Sequence, residues 1–546
     1  MPSGSSYDIV IVGGGSAGCV LANRLSANAS RSVLLIESGL DDRSARLAPF
    51  VLMPKALAKL IGNPSYAFHY PAKPDPSVPT LAPDIRVRGR MLGGSSAVNG
   101  MVYHRGQPQD YDRLAELGNI GWGWRDILPY FISIEGHVLP RAEWRGCDGP
   151  IALAPTPATP LAEAIITAGT SVGLRRKEDA NLPDHRGISH VMANIDRKGR
   201  RVSAARAFLP PKVRARPNLR IVTGADAEQI LFEGRRAVGV RLSCGGWPVE
   251  LRAREIIVCA GAMASPLLLQ RSGIGRGTLL QSLGVPVVHD NPNVGAHLRD
   301  HWNSYQAFDL RHRRDSENRQ FAGWRLGLNA LRWFAGTGGP LATPTHQLSA
   351  FAETEMKADR ADVELLFAPY SFGPPAADGS LTTGSAPAMH VFSHALRNTS
   401  EGSIAITSAD AASTPLIHSN HLTTEYDQRI SINGMRLVRS IMTQPALSDF
   451  VVGESAPSAE ARTDEELLHY SRQYGSCGLH AVGTCRMGPD GDSQAVLDSR
   501  LRVRGVEHLR VVDCSIFPEV ISGNTNAPVM AAAALAADLI VEDLKR

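Results

Sequence analysis

IVIVGGGSAGCVLANRLSANASRSVLLIESG, residues 9–39, is the stretch that decides the fold. Ile9–Val12 reads as a short buried strand, Gly13, Gly15 and Gly18 set out a G-x-G-x-x-G turn around Ser16 and Ala17, and Cys19–Ser26 carries helical periodicity. Val33–Ile36 is a second strand ending on Glu37, which completes a βαβ unit. The first glycine permits the tight turn, the second lets backbone approach a pyrophosphate at the helix N-terminus, and the third lets helix and strand pack. Glu37 stands where an acid takes ribose hydroxyls. A glycine turn serving packing alone is the alternative, and the unit by itself does not choose between FAD and NAD.

Around this unit the chain has ordinary globular composition. It has 546 residues, is 43% hydrophobic and 20% charged, and carries a formal charge of +4, which argues against a nucleic-acid partner and against a polybasic membrane anchor. Seven widely spaced cysteines, with no C-x-x-C pair and no metal spacing, read as reduced thiols in a reducing compartment. MPSGSSYD lacks the pattern of a secretory signal, so the expected setting is the cytoplasm. The apolar run Ala527–Val541 is broken by Asp538 and reads as a buried helix rather than a membrane span. In Trp324–Ala335, one helical face carries Trp324, Leu328, Leu331 and Ala335 and the other Arg325, Asn329 and Arg332. That is an amphipathic surface helix, with membrane docking as the lesser alternative.

Other segments fall into place along the chain. Ala48–Pro83 is proline-rich without sustained periodicity and reads as a surface excursion. Leu219–Thr223, Ala237–Leu242 and Glu255–Cys259 read as strands, the last feeding the GAMASP turn and a helix through Gln270. HLRVVDCSIF, residues 508–517, reads as a strand, and Ala527–Leu544 as a closing helix capped by Asn526 with Pro528 in its first turn. The expected fold is α/β, a Rossmann-like dinucleotide domain interleaved with a second, α+β domain. The first domain takes residues 1–150, 216–290 and 471–546, and the second 151–215 and 291–470.

Four segments in order carry a family likeness: GGGSAG with Glu37; GRMLGGSSAVNGMVYHRG (89–106); GAMASPLLLQRSGIG (261–275); and GLHAVGTCRMG with RVVDCSIFPEVISGNTNAPVMA. The chain resembles the glucose-methanol-choline (GMC) oxidoreductases, in particular their choline-dehydrogenase-like bacterial alcohol dehydrogenases and oxidases. The resemblance implies FAD as cofactor and an antiparallel sheet lying over the flavin. It implies that Gly13, Gly15, Ser16, Ala17, Gly18 and Glu37 bind FAD, with Gly93, Gly94, Ser95, Asn99, Met101 and Val102 from the second segment. Ala227, Ala260, Gly261, Asp513, Cys514, Asn526, Ala527 and Pro528 complete that set. Asp513 would accept a ribityl hydroxyl, with a capping role as its alternative. The closing helix would point its positive end at the flavin N1–C2=O locus, where reduction leaves negative charge.

The resemblance also singles out His480, which lies between Gly478 and Gly483 and 44 residues before Asn524. Its implied role is the catalytic base, Asn524 holding the same substrate oxygen, in oxidation of a primary alcohol to an aldehyde by hydride transfer to flavin N5. Val98 stands where covalent members carry a histidine, so FAD is expected to be non-covalent. Leu479 replaces an aromatic residue of many relatives, which favours an apolar or aryl alcohol over a quaternary ammonium one. Cys485 is read as core, and His69, His104, His297 and His301 receive no role, although His104 and His297 replace an expected Ile and Asn. No metal site is expected, and the electron acceptor is left as oxygen or a quinone. A flavoprotein lyase or other non-redox activity is the alternative function on this fold.

Overall fold

The computed structural model describes residues 4–75, 78, 81, 84–355, 359–373 and 382–545. The opening unit consists of β1 (Ser6–Val12), α1 (Ser16–Leu25) and β2 (Val33–Glu37). β1 and β2 pair in parallel with Ile9 opposite Val33, and β2 pairs in parallel with Leu219–Thr223. On its other side β1 runs parallel to the inner half of Trp247–Val258. Ile9, Val10, Ile11, Val33, Leu34, Leu35, Ile256 and Val258 are wholly buried, as parallel strands covered on both faces require.

The strand Trp247–Val258 explains a shortfall of the sequence reading, which sees only its end. Its outer half pairs antiparallel with Arg236–Cys244, in a meander with Ala225–Glu233, and is largely in contact with solvent. Only Ile256–Val258, between β1 and Leu509–Val511, has the continuous apolar character of a buried strand. The expected strand 508–517 is three residues long, Leu509–Val511, because Asp513 accepts the Ser515 N–H at 2.8 Å and turns the chain into a 3₁₀ turn over Cys514–Ile516.

Three helices matter to the site. α2 (Gly261–Arg271) starts directly at the expected GAMASP turn, and α3 is Gly323–Phe334. α4 (Asn526–Asp543) is buried along Ala527–Ala537, its alanines admitting α1 and Trp124–Ile134 at close range. Asn526 does not cap α4. Thr525 holds that position without a side-chain hydrogen bond, and Asn526 instead accepts from Ser16 Oγ at 2.7 Å. The orientation of α3 also departs from an ordinary surface helix: its buried residues are Asn329 and Trp333, while Trp324, Leu328 and Leu331 are exposed.

A second, antiparallel sheet has the order Val451–Glu454, Trp302–Leu310, Ala388–Ala395, Val363–Ala368, Leu348–Ala352, Gly187–His190. One face packs Leu365 and Val391 against Ile165 and Ile430 of the helices Pro160–Ser171 and Glu425–Met442. With period-two alternation, the other face presents Glu364, Leu366, Phe392 and His394 toward the first sheet. The surface excursion expected over 48–83 carries short helices at Ala48–Leu52 and Leu57–Ile61, which precede a hairpin formed by Ala67–Ala72 and Asp84–Gly89; residues 76–77, 79–80 and 82–83 lie outside the described residues. All seven cysteines are free. Among the described residues, no helix is long and apolar enough to cross a membrane, and no group of three or more ligating side chains could hold a metal ion.

Candidate active site

A cavity of about 1740 Å³ lies between the two sheets. Its nucleotide wall gathers Gly13, Gly15, Ser16, Ala17, Glu37, Gly94, Ser95, Asn99, Met101, Val102, Ala227, Ala260, Gly261, Asp513, Cys514 and Asn526. Four other expected residues stand behind this wall. Gly18 closes α1 on β1, where a Cβ would lie 1.9 Å from the Gly13 carbonyl oxygen; Gly93 packs toward Ala205 and Ser203; Ala527 and Pro528 are buried in the first turn of α4.

The wall has the chemistry of a dinucleotide cradle. α1 and α4 both open on the cavity without a side-chain cap and without an acidic residue in the first turn, so their free N–H groups and positive ends await an anion. Gly94, at φ +51°, touches the first turn so closely that a Cβ would sit 2.7 Å from Gly15 Cα. At the end of β2, Glu37 accepts the Gly14 N–H at 2.9 Å and the Gly39 N–H at 2.8 Å. Burial outweighs both bonds and pushes its carboxyl up to about 7. Asp513 takes the capping role in the structure, accepting from Gly261 N–H at 2.9 Å and Ser265 Oγ at 2.5 Å, and it also lines the cavity. The oxygen of Asn99 is committed to Met101 N–H and Arg201 Nη1.

Beyond the nucleotide wall, His480 faces the cavity with Asn524, whose Nδ2 lies 2.9 Å from His480 Nε2. The loop is held from below: Asp300 Oδ1 accepts the His480 backbone N–H at 2.6 Å while its Oδ2 takes Arg86 Nη1 at 2.6 Å. Gly478 is required because a Cβ there would lie 2.8 Å from His301 Cβ, and Gly483 because one would lie 2.1 Å from the His297 carbonyl. His297 itself has φ +54°, a conformation that suits the expected Asn, and its Nδ1 meets Glu401 at 2.8 Å.

His301, given no role by the sequence, fixes the proton on His480. His301 Nε2 lies 3.0 Å from the Leu396 carbonyl, which can only accept, so Nε2 carries the hydrogen. Neutral His301 then offers a lone pair at Nδ1, 2.9 Å from His480 Nδ1, which must be the donor. His480 Nε2 is left as the acceptor facing Asn524 and the cavity. Burial first, then His394, holds His301 well below histidine's ordinary value and brings His480 down to about 3, so both rings are neutral at pH 7. The oxygen of Asn524 is buried with no partner.

Sequence reasoning also misses what lies under this pair. Glu364 is wholly buried between His104 Nδ1 at 3.1 Å and His394 Nε2 at 3.2 Å, and the His394 ring lies 4.5 Å from that of His301. Burial would raise the Glu364 carboxyl, but the two histidines hold it well below the carboxylate range. The signal was a single acid in the apolar run VELLFA. Its partners are 260 and 30 residues away in sequence and meet it only through the sheet. On the far side, half-buried Lys55 reaches Glu317 at 2.8 Å, its Nζ 4.7 Å above the Tyr370 ring and 5.5 Å from that of Phe321.

A two-sheet architecture with an uncapped nucleotide cradle and a histidine–asparagine pair admits comparison with known proteins. Residues 7–303 match the N-terminal model, and residues 398–533 the C-terminal model, of the GMC oxidoreductases. The chain belongs to the GMC oxidoreductase family. It is 35% identical to the oxygen-dependent choline dehydrogenase of Photobacterium profundum, over 98% of this chain and 93% of that one. With the protein of the same name from Pseudomonas entomophila the identity is 38%, over 98% and 94%. Among solved structures it resembles pyridoxine 4-oxidase from Mesorbium loti, with TM-score 0.86 and 30% identity over 98% and 99% of the two chains. A formate oxidase at 23% identity, covering 100% of both chains, shares the fold with TM-score 0.89. This GMC protein is therefore an FAD-dependent oxidoreductase acting on CH–OH donors, as its resemblance implies.

Proposed function

We propose that this GMC oxidoreductase converts an apolar or aryl primary alcohol to its aldehyde, with His480 as base and Asn524 as donor to the same oxygen. The observation that carries the reading is the His480 Nε2 lone pair, held toward the cavity by the chain Leu396 carbonyl, His301, His480. A substrate hydroxyl entering between Nε2 and the Asn524 amide would accept one hydrogen bond and give its proton to Nε2. The resulting imidazolium keeps its Nδ1–H on His301, so the ring need not turn. Such proton removal is typically worth about 10²- to 10⁴-fold. Bound FAD supplies the acceptor for the hydride that leaves the carbinol carbon.

The substrate wall supports the choice of alcohol. Leu366, Phe372 and Phe392 line it, and Leu479 rather than an aromatic residue stands beside the base. The aromatic faces of Tyr370 and Phe321 are already occupied by the ammonium of Lys55, itself paired with Glu317, so a quaternary ammonium would find no open aromatic face there. Residues 1–150, 216–290 and 471–546 would hold the cofactor and 151–215 with 291–470 the substrate, in a cytoplasmic setting that suits seven free cysteines.

Anaerobic mixing of the yellow protein with aliphatic, aryl and amino alcohols, followed by air, tests the reading. Bleaching by benzylic or medium-chain alcohols ahead of choline is expected, and colour return in air distinguishes oxygen from a quinone as acceptor. No bleaching by any alcohol would sink it. Val98 offers no nucleophile, so acid precipitation should release all the colour into the supernatant.

A further inference from the structure

α3 turns its apolar side to the solvent. Trp324, Leu331 and Phe334 are 74%, 68% and 67% exposed, and Leu328 is 41% exposed. The orientation is anchored from the buried side: Asn329 Nδ2 donates to the Gln320 carbonyl and Trp333 Nε1 to that of Gly199, each at 3.0 Å. A contiguous apolar stripe of this kind marks a surface that meets something other than water.

Two further observations say what it meets. From Asn318 to Ala352 the sequence has no Asp or Glu, while Arg319, Arg325 and Arg332 fall on or beside α3 and Arg197 and Lys198 on the turn held by Trp333. The acids nearest in sequence are already engaged, Glu317 by Lys55 and Asp196 by Arg200 and Arg206. The surface is thus basic as well as apolar, which complements an anionic one. Moreover Leu326 and Phe334 are at once exposed and cavity-lining, as is Phe50, so the stripe forms the rim of the cavity mouth.

We propose that α3 is an interfacial helix that docks this protein on an anionic lipid surface with the cavity mouth against the bilayer. Trp324, Leu328 and Leu331 enter the acyl boundary, the arginines meet lipid phosphates, and the mouth opens where apolar alcohols concentrate. The docking stands on the surface alone; what passes through the mouth rests on the proposed alcohol oxidation.

The test is co-sedimentation of the FAD-loaded full chain with vesicles of phosphatidylcholine, with and without phosphatidylglycerol, beside sedimentation velocity in solution. Phosphatidylglycerol vesicles should carry the protein down, salt should weaken this, and Trp324→Glu with Leu331→Glu should lower the bound fraction at least ~10-fold. Flavin reduction by a water-soluble alcohol should be unchanged in that variant, since neither residue lines the cavity. Absence of sedimentation with any vesicle, or sedimentation that the double variant leaves intact, overturns the proposal. So does a dimer in solution that the double variant dissociates, because the stripe would then be covered by a second copy.

Discussion

The two walls of the cavity are built from different materials. The nucleotide wall is mostly main chain: glycines at left-handed φ, a strand-to-helix turn, and the open N-termini of α1 and α4. The substrate wall is mostly side chain: His480, Asn524, His394, Phe392 and Lys55 project from a loop, an antiparallel sheet and a short helical segment. A main-chain site is damaged by adding atoms, whereas a side-chain site is damaged by removing them. The contrast suits the cofactor and the proposed substrate, since a pyrophosphate asks for N–H groups at close range and an alcohol for one lone pair and one donor.

The largest expected effect is on the first wall. Gly94→Val puts a branched side chain at φ +51° where even a Cβ lies 2.7 Å from Gly15 Cα, so the protein should purify folded and colourless. A yellow variant of wild-type FAD content would break the contrast. On the second wall, His480→Ala should keep its flavin and reduce it at least ~10²-fold more slowly in stopped-flow mixing with alcohol. Because burial and His394 lower His480, the base is free at neutral pH, and protonation removes it only as pH falls. The wild-type rate should therefore be flat around pH 7 and decline only well below 6.5, a limb absent from His480→Ala.

His301 sharpens the comparison, since it touches neither substrate nor cofactor in this scheme. His301→Leu deletes the acceptor that fixes the His480 tautomer and should slow flavin reduction by roughly 10-fold or more with the flavin retained. In His301→Asp the carboxylate favours the imidazolium and should move the acid limb to higher pH. An unchanged pH profile in both variants would assign His301 to packing alone. Asn524→Ala should lose less than His480→Ala, about 10-fold, as a neutral hydrogen bond is lost. The smallest effect is expected at Lys55→Met, which uncovers Tyr370 and Phe321 and should raise activity on choline relative to benzyl alcohol in kcat/KM.

The same contrast governs what the sequence could reveal. Residues 9–39 were legible because a main-chain site is written locally, in glycine spacing and strand patterning. Spacing and family likeness singled out His480 and Asn524, which the fold brings within 2.9 Å of one another on the cavity, but the burial that lowers His480 is invisible in sequence. His301, Glu364 and His394 were not legible, for their contacts arise from strand register across scores of residues. In α3 the periodicity grouped Trp324, Leu328 and Leu331 on one face but could not say that this face turns outward, or that Trp333 joins Asn329 on the buried one. Asn526 shows the limit at a single residue: as a cap it is chemically sound, yet the helix starts one residue earlier, with Thr525 at the cap, and the Asn526 oxygen is spent on Ser16.

That bond between Ser16 and Asn526 joins residues 510 apart in sequence, and it sits in the middle of the nucleotide wall. During synthesis the first helix leaves the ribosome long before the last, and Leu509–Val511 fills its place beside Trp247–Val258 only at the end. Half a cradle, with one open helix end and an unfinished sheet, waits until residues 509–526 have been made. The yellow colour is thereby a record that both halves of the cradle have met: a chain cut short before residue 509 should never acquire it.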